Sequence, residues 1–475
     1  MTIIEELAAF SVGLNARDLP QNVVEECKRL LLDSMGCALG GHETPKGRAG
    51  VEVGLAIGGG SRESTIVGSV RRSSVFGAAF AMGELINAQD FDPILPPGHV
   101  TPYVLPGILC EGERQDVSGE QLICAIAVSH EISYRFGKAM DNLRDVKDGV
   151  PTMPHVFGYS STVFGAAAGV GIVRSFEIDE MTNALGLAGL IAPANSFGSW
   201  AMHMPPTTLK YLSGGVLAQS ALTAAHLALQ GDRGDIELLD DSDYGFARYM
   251  GTTKWEPHYL VEGLGTEWTF PDNVSYKPWP HARGSHGALT ALAAVITEHG
   301  LEPSEIRAVR AWSEAFASSY PAWQNRNIID VQDAQFSMIH ALSLCAHSVP
   351  PGRAWQDPDV VFDRSVLDLM NRTTYEAHPN YADAVTTHAN RRPTRVEVDA
   401  RGATFSAECL FPKGTPSSDP TSTMSNDELA SKFHSNASVL LDDGAIEIAT
   451  DALLGMETES STRRILRLLV PRFRG

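Results

Sequence analysis

The hydrophobic pattern of the first half of the chain predicts α-helices. The first helix carries apolar residues at every third or fourth position, at Ile3, Leu7, Phe10 and Leu14. A second helix is predicted to begin at Pro20 and to end at Gly40–Gly41, because proline is favoured at a helix start and glycine at a helix end. Helices rich in small residues on every side, which indicates burial in a core, are predicted over 75–88, 119–140 and 164–173.

The pattern changes after about Gly265, where strand-like alternation appears beside helical periodicity. Residues 306–313 alternate between apolar and polar positions, and 394–411 read as a β-hairpin whose turn is Arg401–Gly402. Helices are predicted between these strands over 286–299 and 334–346, and again over 426–469 after a loop rich in proline, serine and threonine.

These elements predict a mostly α fold of two domains. The first part of an all-α helical domain covers 1–267, and a smaller α+β domain covers 268–412. Residues 413–475 form C-terminal helices that return to the helical domain. The α+β domain is therefore predicted to be an insertion in a helical domain built from both chain ends.

The charge balance excludes some classes of partner. The 475 residues carry 37 basic and 57 acidic side chains, a formal net charge of −20. A field of this sign repels nucleic acids and anionic membranes, so any anionic ligand must be held by a few local cations in a pocket. Acidic residues near the N-terminus and the absence of a long apolar run predict a cytoplasmic protein that spans no membrane.

Familiar cofactor motifs are missing from the sequence. We find no GxxxxGK[ST] loop, no GxSxG elbow, no HExxH motif and no GxGxxG between a strand and a helix. The six cysteines are scattered without a CxxC pair, which favours reduced thiols over a zinc site or a disulfide framework. We therefore expect neither a cofactor nor a metal.

The first polar constellation follows the helix predicted over 75–88. It contains Asp90 and Asp92 and, after a Pro–Pro–Gly turn, His99. Carboxylates at the end of an apolar helix are costly to desolvate unless they are paired, so these acids should have partners. Helix capping and a metal site made by the three residues are the alternatives.

The second constellation concentrates cations in a short segment. Residues 276–286 read YKPWPHARGSH, and two prolines fix the backbone that carries Lys277, His281, Arg283 and His286. In a chain of charge −20, such a concentration is what a carboxylate pocket needs. The alternative is a surface basic patch.

Three further candidates are single residues on apolar segments, namely His155, Lys210 and His340. Each lies beside or within a stretch of small or apolar residues. The functional interpretation is that they line a cavity, and the alternative is a structural role.

Together these segments resemble the 2-methylcitrate dehydratase (MmgE/PrpD) family nearly end to end. The resemblance rests on LLLDSMGCALGG, INAQDFD, HVFGYSSTVFGAAAG, LKYLSGGVLAQSAL, GLGTEWTFPDNVSYKPWPHARGSH, QFSMIHALSL and LFPKGTP. It implies a large helical domain with an inserted α+β lid, an active site between the two, a homodimer and no metal. The family includes 2-methylcitrate dehydratases, cis-aconitate decarboxylases and iminodisuccinate epimerase.

The resemblance also implies roles for individual residues. It places Asp90, His99, His155, Lys210 and Lys277 at catalytic positions. It gives substrate-binding positions to His286 and His340, and we add His281 and Arg283 from the cation-rich segment as substrate-binding candidates.

The chain departs from the family pattern at several of these places. The usual DFDDTH is interrupted after Asp92 by Pro93 and Ile94, and the usual two cysteines of the lid motif are His281 and Ala282. Ser213 replaces a usual histidine, and His340 stands where a tyrosine is usual. These changes predict a remodelled substrate cavity, so 2-methylcitrate itself need not be the substrate.

The resulting hypothesis is a lyase that acts next to a carboxylate of a small di- or tricarboxylic acid. Lys210, Lys277 and Arg283 would bind the substrate carboxylates, and His99 or His155 would be general base and acid. Asp90 would orient the imidazole or hold a substrate hydroxyl.

Elimination of water is the leading prediction. A cis-aconitate-type decarboxylase, an iminodisuccinate-type epimerase or isomerase, and a non-catalytic scaffold are the alternatives.

Overall fold

Helices dominate the fold, as the sequence predicts. The computed structural model describes residues 1–471, and 56% of the chain is helical against 9% in strands. The last four residues of the C-terminal segment predicted over 413–475 lie outside the described part. Within residues 1–471, no helix combines the length and the apolar character needed to cross a bilayer.

Residues 1–267 contain twelve α-helices and six short strands. The helices are α1 (Ile3–Gly13), α2 (Gln21–Gly41), α3 (Pro45–Gly58), α4 (Val75–Asn87), α5 (Thr101–Gln115), α6 (Gly119–Ala139), α7 (Thr162–Val173), α8 (Ile178–Leu190), α9 (Phe197–Met202), α10 (Gly214–Leu229), α11 (Phe246–Met250) and α12 (His258–Val261). The strands form three two-stranded pairs: β1 (Ser64–Thr65) with β2 (Arg72–Ser73), β3 (Ile94–Leu95) with β4 (Gly98–His99), and β5 (Val146–Lys147) with β6 (Val150–Pro151).

The rest of the described chain mixes strands with helices. The helices are α13 (His286–His299), α14 (Ala315–Ser319), α15 (Val331–Ala334), α16 (Met338–Ala346), α17 (Pro358–Val361), α18 (Arg364–Met370), α19 (Tyr381–Thr387), α20 (Asn426–Ala437), α21 (Asp443–Leu454) and α22 (Thr462–Leu468). The strands are β7 (Ile306–Ser313), β8 (Thr373–Ala377), β9 (Thr394–Ala400) and β10 (Ala403–Cys409).

Local sequence signals account for the main helix boundaries. Side chains of Thr2, Ser74 and Ser118 accept hydrogen bonds from backbone N–H groups at the starts of α1, α4 and α6. Helix α2 follows Pro20 directly and ends at Gly41, as predicted. Helix α7 is built from small residues and packs against α5, α6, α8 and α10, so it lies in the helical core.

The four-stranded sheet has the order β10–β9–β7–β8. Strands β9 and β10 form the predicted hairpin, and the turn residues Arg401 and Gly402 both have positive φ, 53° and 76°, as a tight hairpin turn requires. Strand β7 pairs antiparallel with β9 and parallel with β8. Helix α13 covers β9 and β10 and also contacts α16.

The C-terminal helices pack on elements from the start of the chain. Helix α20 lies on α2, and α22 contacts α5. Lys432 on α20 donates a hydrogen bond to the carbonyl oxygen of Phe91 (2.7 Å), which ties the chain end to the loop after α4. That loop carries the first predicted polar constellation.

Candidate active site

The loop after α4 folds back so that Asp90, Asp92 and His99 meet. Asp90 adopts a left-handed conformation with φ 53°, which turns the chain sharply after the helix. Strands β3 and β4 then pair with Ile94 opposite His99. Because the hairpin is short, His99 returns to the two carboxylates that precede it in the sequence.

A second segment reaches the same place through backbone pairing. The N–H and carbonyl groups of Ile94 exchange two hydrogen bonds with Ser275, each 2.8 Å long. This bridge runs antiparallel and lies two residues before Lys277. The cation-rich segment is thereby fixed beside the carboxylate loop.

Asp90 is the centre of a buried charge cluster. Its Oδ2 atom lies 2.8 Å from Nζ of Lys277, and its Oδ1 atom lies 3.4 Å from Nζ of Lys210. The three side chains are at most 1% exposed. Burial alone would raise the pKa of Asp90, but the positive charges of Lys277, Lys210 and His99 outweigh it and hold this pKa far below its ordinary value. Asp90 is therefore a carboxylate.

Lys210 reaches the cluster from the segment before α10. It has φ 64°, and its Nζ atom donates a 2.6 Å hydrogen bond to the carbonyl oxygen of Asn87. Burial lowers the pKa of Lys210 to about 8, although the charge of Asp90 opposes that shift. Two non-glycine residues with left-handed backbones, Asp90 and Lys210, thus face each other, and such strain is often concentrated at functional sites.

His99 is held by the second carboxylate. Its Nδ1 atom lies 2.6 Å from Oδ2 of Asp92, and the Asn87 side-chain amide donates to Oδ1 of Asp92 at 3.2 Å. With Nδ1–H donating to Asp92, the other ring nitrogen, Nε2, faces Oδ1 of Asp90 at 3.4 Å. Asp92 therefore fixes the tautomer and orientation of the imidazole.

A cavity of about 390 Å³ opens beside these groups. Asp90 and His99 line it on one side, and Arg283 lines it on another. Aromatic side chains supply much of the remaining wall, among them Tyr159 and Tyr211, whose rings lie 6.4 and 5.7 Å from the His99 ring. Gly98 makes room for this arrangement, because a Cβ atom there would overlap the Tyr159 ring. The Asp90 carboxylate, an imidazole and a guanidinium thus border one space.

Arg283 is a buried cation without a carboxylate partner among residues 1–471. Its guanidinium donates to the carbonyl oxygen of Lys413 (3.0 Å), to Oγ1 of Thr415 (2.5 Å) and to Nδ1 of His286 (3.0 Å), while Nε has no partner in this part of the chain. Burial, reinforced by repulsion from Arg392, holds the pKa of Arg283 well below its ordinary value. An uncompensated buried charge is costly, so this position favours an anionic ligand.

Two further arginines line the cavity, and sequence reasoning missed both. Arg144 and Arg392 each bind the buried carboxylate of Glu314, with Arg144 Nε at 3.1 Å from Oε2 and Arg392 Nη1 at 2.5 Å from Oε1. Arg144, Arg392 and Arg283 together carry three positive charges against the single negative charge of Glu314. The cavity lining near these arginines therefore has an excess of positive charge. Neither arginine lies in a motif, and only the fold brings them together.

The structure places the two predicted lysines behind Asp90. Lys210 and Lys277 are at most 1% exposed, and neither is among the described residues that line the cavity. Their ammonium groups contact Asp90 and backbone carbonyls. In this arrangement both lysines hold the Asp90 carboxylate in place.

The structure does not bring all predicted histidines to the cavity. His155 is exposed, and it is not among the described residues that line the cavity. His340 is buried in α16, where its Nε2–H donates to the carbonyl oxygen of Val361 (2.9 Å), and His281 bonds the Ser285 hydroxyl (2.9 Å). Burial lowers the pKa values of His281 and His340 to about 4, so both are neutral near pH 7. Neither of these two lines the described part of the cavity.

His286 acts on the site through Arg283. Its Nδ1 atom accepts from the guanidinium, and its Nε2–H donates to the carbonyl oxygen of His281 (3.1 Å). Burial lowers the pKa of His286 well below its ordinary value, and the positive charge of Arg283 adds to the effect. A neutral imidazole that accepts from Arg283 orients the guanidinium without competing with it for an anion.

Tyr211 and Tyr159 are the aromatic residues nearest to the candidate imidazole. Tyr211 directly follows Lys210 in the sequence, and its buried hydroxyl has no hydrogen-bond partner among the described residues. Tyr159 lies in the HVFGYSS segment that drew attention to His155 instead. Both tyrosines lie in segments that the sequence analysis singled out for other side chains, Lys210 and His155.

Comparison with known proteins places this geometry in a family context. Models of the MmgE/PrpD N-terminal and C-terminal domains match residues 5–258 and 279–455. The cis-aconitate decarboxylase-like protein oryM of Aspergillus oryzae is 25% identical over 98% of this chain and 97% of its own length. A cis-aconitate decarboxylase of Aspergillus terreus is 23% identical over 98% and 96%, and the human cis-aconitate decarboxylase is 26% identical over 64% and 62%.

Proposed function

The chain belongs to the MmgE/PrpD family, and from this premise we propose that it is a lyase that removes a carboxyl group from an unsaturated di- or tricarboxylic acid. The observation that carries the proposal is that the guanidinium of Arg283, buried without a carboxylate partner among residues 1–471, and the imidazole of His99 line one cavity. The first binds a carboxylate, and the second delivers a proton. The named activity of the relatives, cis-aconitate decarboxylation, is consistent with this pair.

The proposed reaction needs one bond broken and one proton supplied. The carbon–carbon bond to the departing carboxylate breaks, carbon dioxide leaves, and the electron pair remains on carbon, delocalised through the double bond to a second carboxylate. Arg283 binds that carboxylate and stabilises the added negative charge. A protonated His99 then gives the Nε2 proton to carbon and regains one from water.

The carboxylates around His99 support this role. Asp92 holds Nδ1, so that Nε2 is the nitrogen free to exchange a proton with the substrate. Asp90 lies 3.4 Å from Nε2 and attracts a positive charge on the ring. Lys210 and Lys277 keep Asp90 ionised and fixed. Tyr211 also lines the cavity, and its buried hydroxyl has no partner among residues 1–471.

The number of proton-transfer groups favours decarboxylation over the dehydration that leads the sequence-based hypothesis. Dehydration needs a base for the carbon-bound hydrogen and an acid for the departing hydroxyl. Among the described residues that line the cavity, His99 is the single histidine. Burial raises the pKa values of Tyr159 and Tyr211 above their ordinary value, so neither phenol serves readily as a base. One imidazole suffices for decarboxylation.

The experiment is incubation of the purified protein with cis-aconitate, citrate, 2-methylcitrate and succinate-type acids in D2O, followed by NMR. The expected outcome is an alkene with one carbon fewer than its substrate, one equivalent of carbon dioxide and one deuterium on the protonated carbon. A new alkene that keeps every carbon indicates dehydration, and deuterium exchange alone indicates an epimerase or isomerase. Silence with every acid contradicts the proposal and favours a scaffold.

We also propose that the protein is a homodimer whose α+β segment, 268–412, packs as a unit on the helical part. Apolar side chains that are about half exposed support the first point, namely Leu190 at 51%, Met202 at 51% and Leu209 at 56%. The packing of α20 on α2 supports the return of the C-terminal helices to the helical part, which makes 268–412 an insertion. Sedimentation should give twice the 51.1 kDa of one chain, and limited proteolysis should cut near 268 and 412.

A further inference from the structure

One side of the cavity is built almost entirely from aromatic rings. We define the aromatic wall as the seven side chains Tyr159, Phe197, Trp200, Tyr211, Phe316, Trp323 and Phe336, all of which line the cavity and are at most 7% exposed. They come from separate stretches of the chain, so the fold assembles the wall. Apart from hydroxyl and indole N–H groups, this surface is carbon.

The aromatic wall begins beside the candidate imidazole. The Tyr211 ring centroid is 5.7 Å from that of His99, 4.9 Å from that of Tyr159 and 5.4 Å from that of Trp200. The Trp200 ring in turn lies 4.7 Å from Phe336. These separations are typical of packed aromatic pairs, so the aromatic wall continues without a gap from the His99 ring.

The aromatic wall also reaches the neighbourhood of Arg283. Phe316 packs on Trp323 at 4.6 Å between ring centroids. It also lies against Gly284, where a Cβ atom would be 2.5 Å from Cζ of Phe316. Because Gly284 follows Arg283 directly, the wall extends between the proton donor and the carboxylate anchor.

A small polycarboxylate does not use such a surface. Its carboxylates are strongly hydrated and are stabilised by cations and hydrogen-bond donors. An aromatic surface instead stabilises apolar groups that are buried against it. A volume of about 390 Å³ also lies in the range of pockets that bury drug-sized ligands, about 300–1,000 Å³. The cavity therefore has both the size and the lining for an additional apolar group.

We propose, on the basis of the lyase function above, that the substrate is a di- or tricarboxylate that carries an aryl substituent or an alkyl substituent longer than a methyl group. One carboxylate binds Arg283, the reacting carbon lies at His99, and the substituent packs along the aromatic wall. The wall is then the element that selects this substrate over unsubstituted acids of the same class.

The first test is a series of unsaturated acids that differ in the length of one alkyl substituent, from none to hexyl. We expect kcat/KM to rise by about fourfold for each added methylene until the wall is covered, the factor that corresponds to about 0.8 kcal/mol per buried methylene. A flat or falling series in the presence of turnover overturns the inference about the substituent and leaves the lyase function standing.

The second test is direct binding, which needs no turnover. Isothermal titration with succinate, butylsuccinate and hexylsuccinate should give affinities that rise with chain length. Chain-length-dependent binding without turnover of any acid in the first series overturns the lyase function and supports the apolar subsite. Equal affinities overturn the subsite, and absence of binding by all three acids contradicts both proposals.

A matched pair of variants tests whether the substituent packs on the aromatic wall. Phe316→Ala should reduce the dependence of affinity on chain length by at least about tenfold between succinate and hexylsuccinate, because it removes part of the wall. Tyr244→Ala removes an aromatic ring that is 86% exposed and outside the cavity, and it should leave that dependence unchanged. An unchanged dependence in folded Phe316→Ala overturns the placement of the substituent on the wall.

Discussion

The ammonium group of Lys277 lies 2.8 Å from Oδ2 of Asp90 and also 2.8 Å from the carbonyl oxygen of the same residue, so that one lysine holds both the side chain and the left-handed backbone of one aspartate. The two residues are 187 positions apart in the sequence. Their contact joins the loop after α4 to the cation-rich segment before α13. The Asp90 carboxylate at the centre of the site therefore also links two segments that are distant in the sequence.

Replacement of Asp90 by asparagine should destabilise the protein strongly. The change leaves two buried ammonium groups without a counter-charge, and breaking a buried ion pair in this way costs about 3–5 kcal/mol. Urea unfolding would measure the loss. The control is Glu52→Gln, which removes a pair whose side chains are 51% and 66% exposed and should cost far less, because water screens this pair. Equal losses in the two variants would contradict the central role of Asp90.

Replacement of Lys277 by alanine should lower turnover by at least about 10²-fold, although its ammonium group does not line the cavity. Without it, Asp90 loses its closest positive partner and the fixed position beside His99. The effect should appear in kcat more than in KM, because the substrate does not touch this lysine. Near wild-type turnover would contradict the role of Lys277 in positioning Asp90. A rise confined to KM would indicate that Lys277 binds the substrate carboxylate, as the sequence analysis predicts.

Replacement of Asp92 by asparagine should lower kcat by at least about 10²-fold without unfolding the protein. The amide no longer accepts the Nδ1–H of His99 as a carboxylate does, so the imidazole loses its fixed tautomer and its charge partner. The pH dependence of kcat should shift as well, which distinguishes this role from simple packing. A variant with unchanged kcat and pH profile would show that another group moves the proton.

Much of the fold follows from the sequence, because its signals are local. The predicted strand 306–313, the hairpin over 394–411 and the helix over 286–299 agree with the structure, since alternation, turn residues and periodicity are properties of neighbouring residues. The helix predicted over 334–346 begins later, at Met338, where the Ser337 hydroxyl caps its first turn. The division into domains remains a prediction.

The candidate site was only partly predictable, because its pairings are distant in the sequence. The residue types at 90, 92, 99 and 283 pointed to carboxylate chemistry, yet sequence alone could not show that Lys210 and Lys277 both contact Asp90. The same limit applies to Arg144 and Arg392, which meet through Glu314. His155 is exposed in the structure, and a sequence motif carries no information on exposure.

His340 should make the protein sensitive to acid. Burial lowers the pKa of this histidine from 6.5 to about 4 in the folded chain, so between these values the unfolded chain binds a proton that the folded chain does not. Stability therefore falls as the pH drops from about 6.5 to about 4, by at most about 1.4 kcal/mol per pH unit for this group. In His340→Gln, which keeps a donor for the Val361 carbonyl, urea unfolding at several pH values should show a shallower fall. An identical slope would contradict the buried neutral state.

Replacement of Arg283 should separate ligand binding from stability. Arg283→Gln removes the buried guanidinium that has no carboxylate partner among residues 1–471, and we expect KM to rise by about 10²–10³-fold, since loss of one member of a buried charge pair costs about 2–5 kcal/mol. Arg283→Lys keeps the charge but loses the planar fork, so its KM should lie between those of the wild type and Arg283→Gln. In the absence of substrate, the free energy of unfolding should fall by less than in Asp90→Asn, because the lost hydrogen bonds are offset by removal of a poorly solvated charge. Steady-state kinetics and urea unfolding of the same preparations provide both measurements. Wild-type KM in Arg283→Gln would show that the substrate carboxylate is bound elsewhere, with Arg144 and Arg392 the next cations to test.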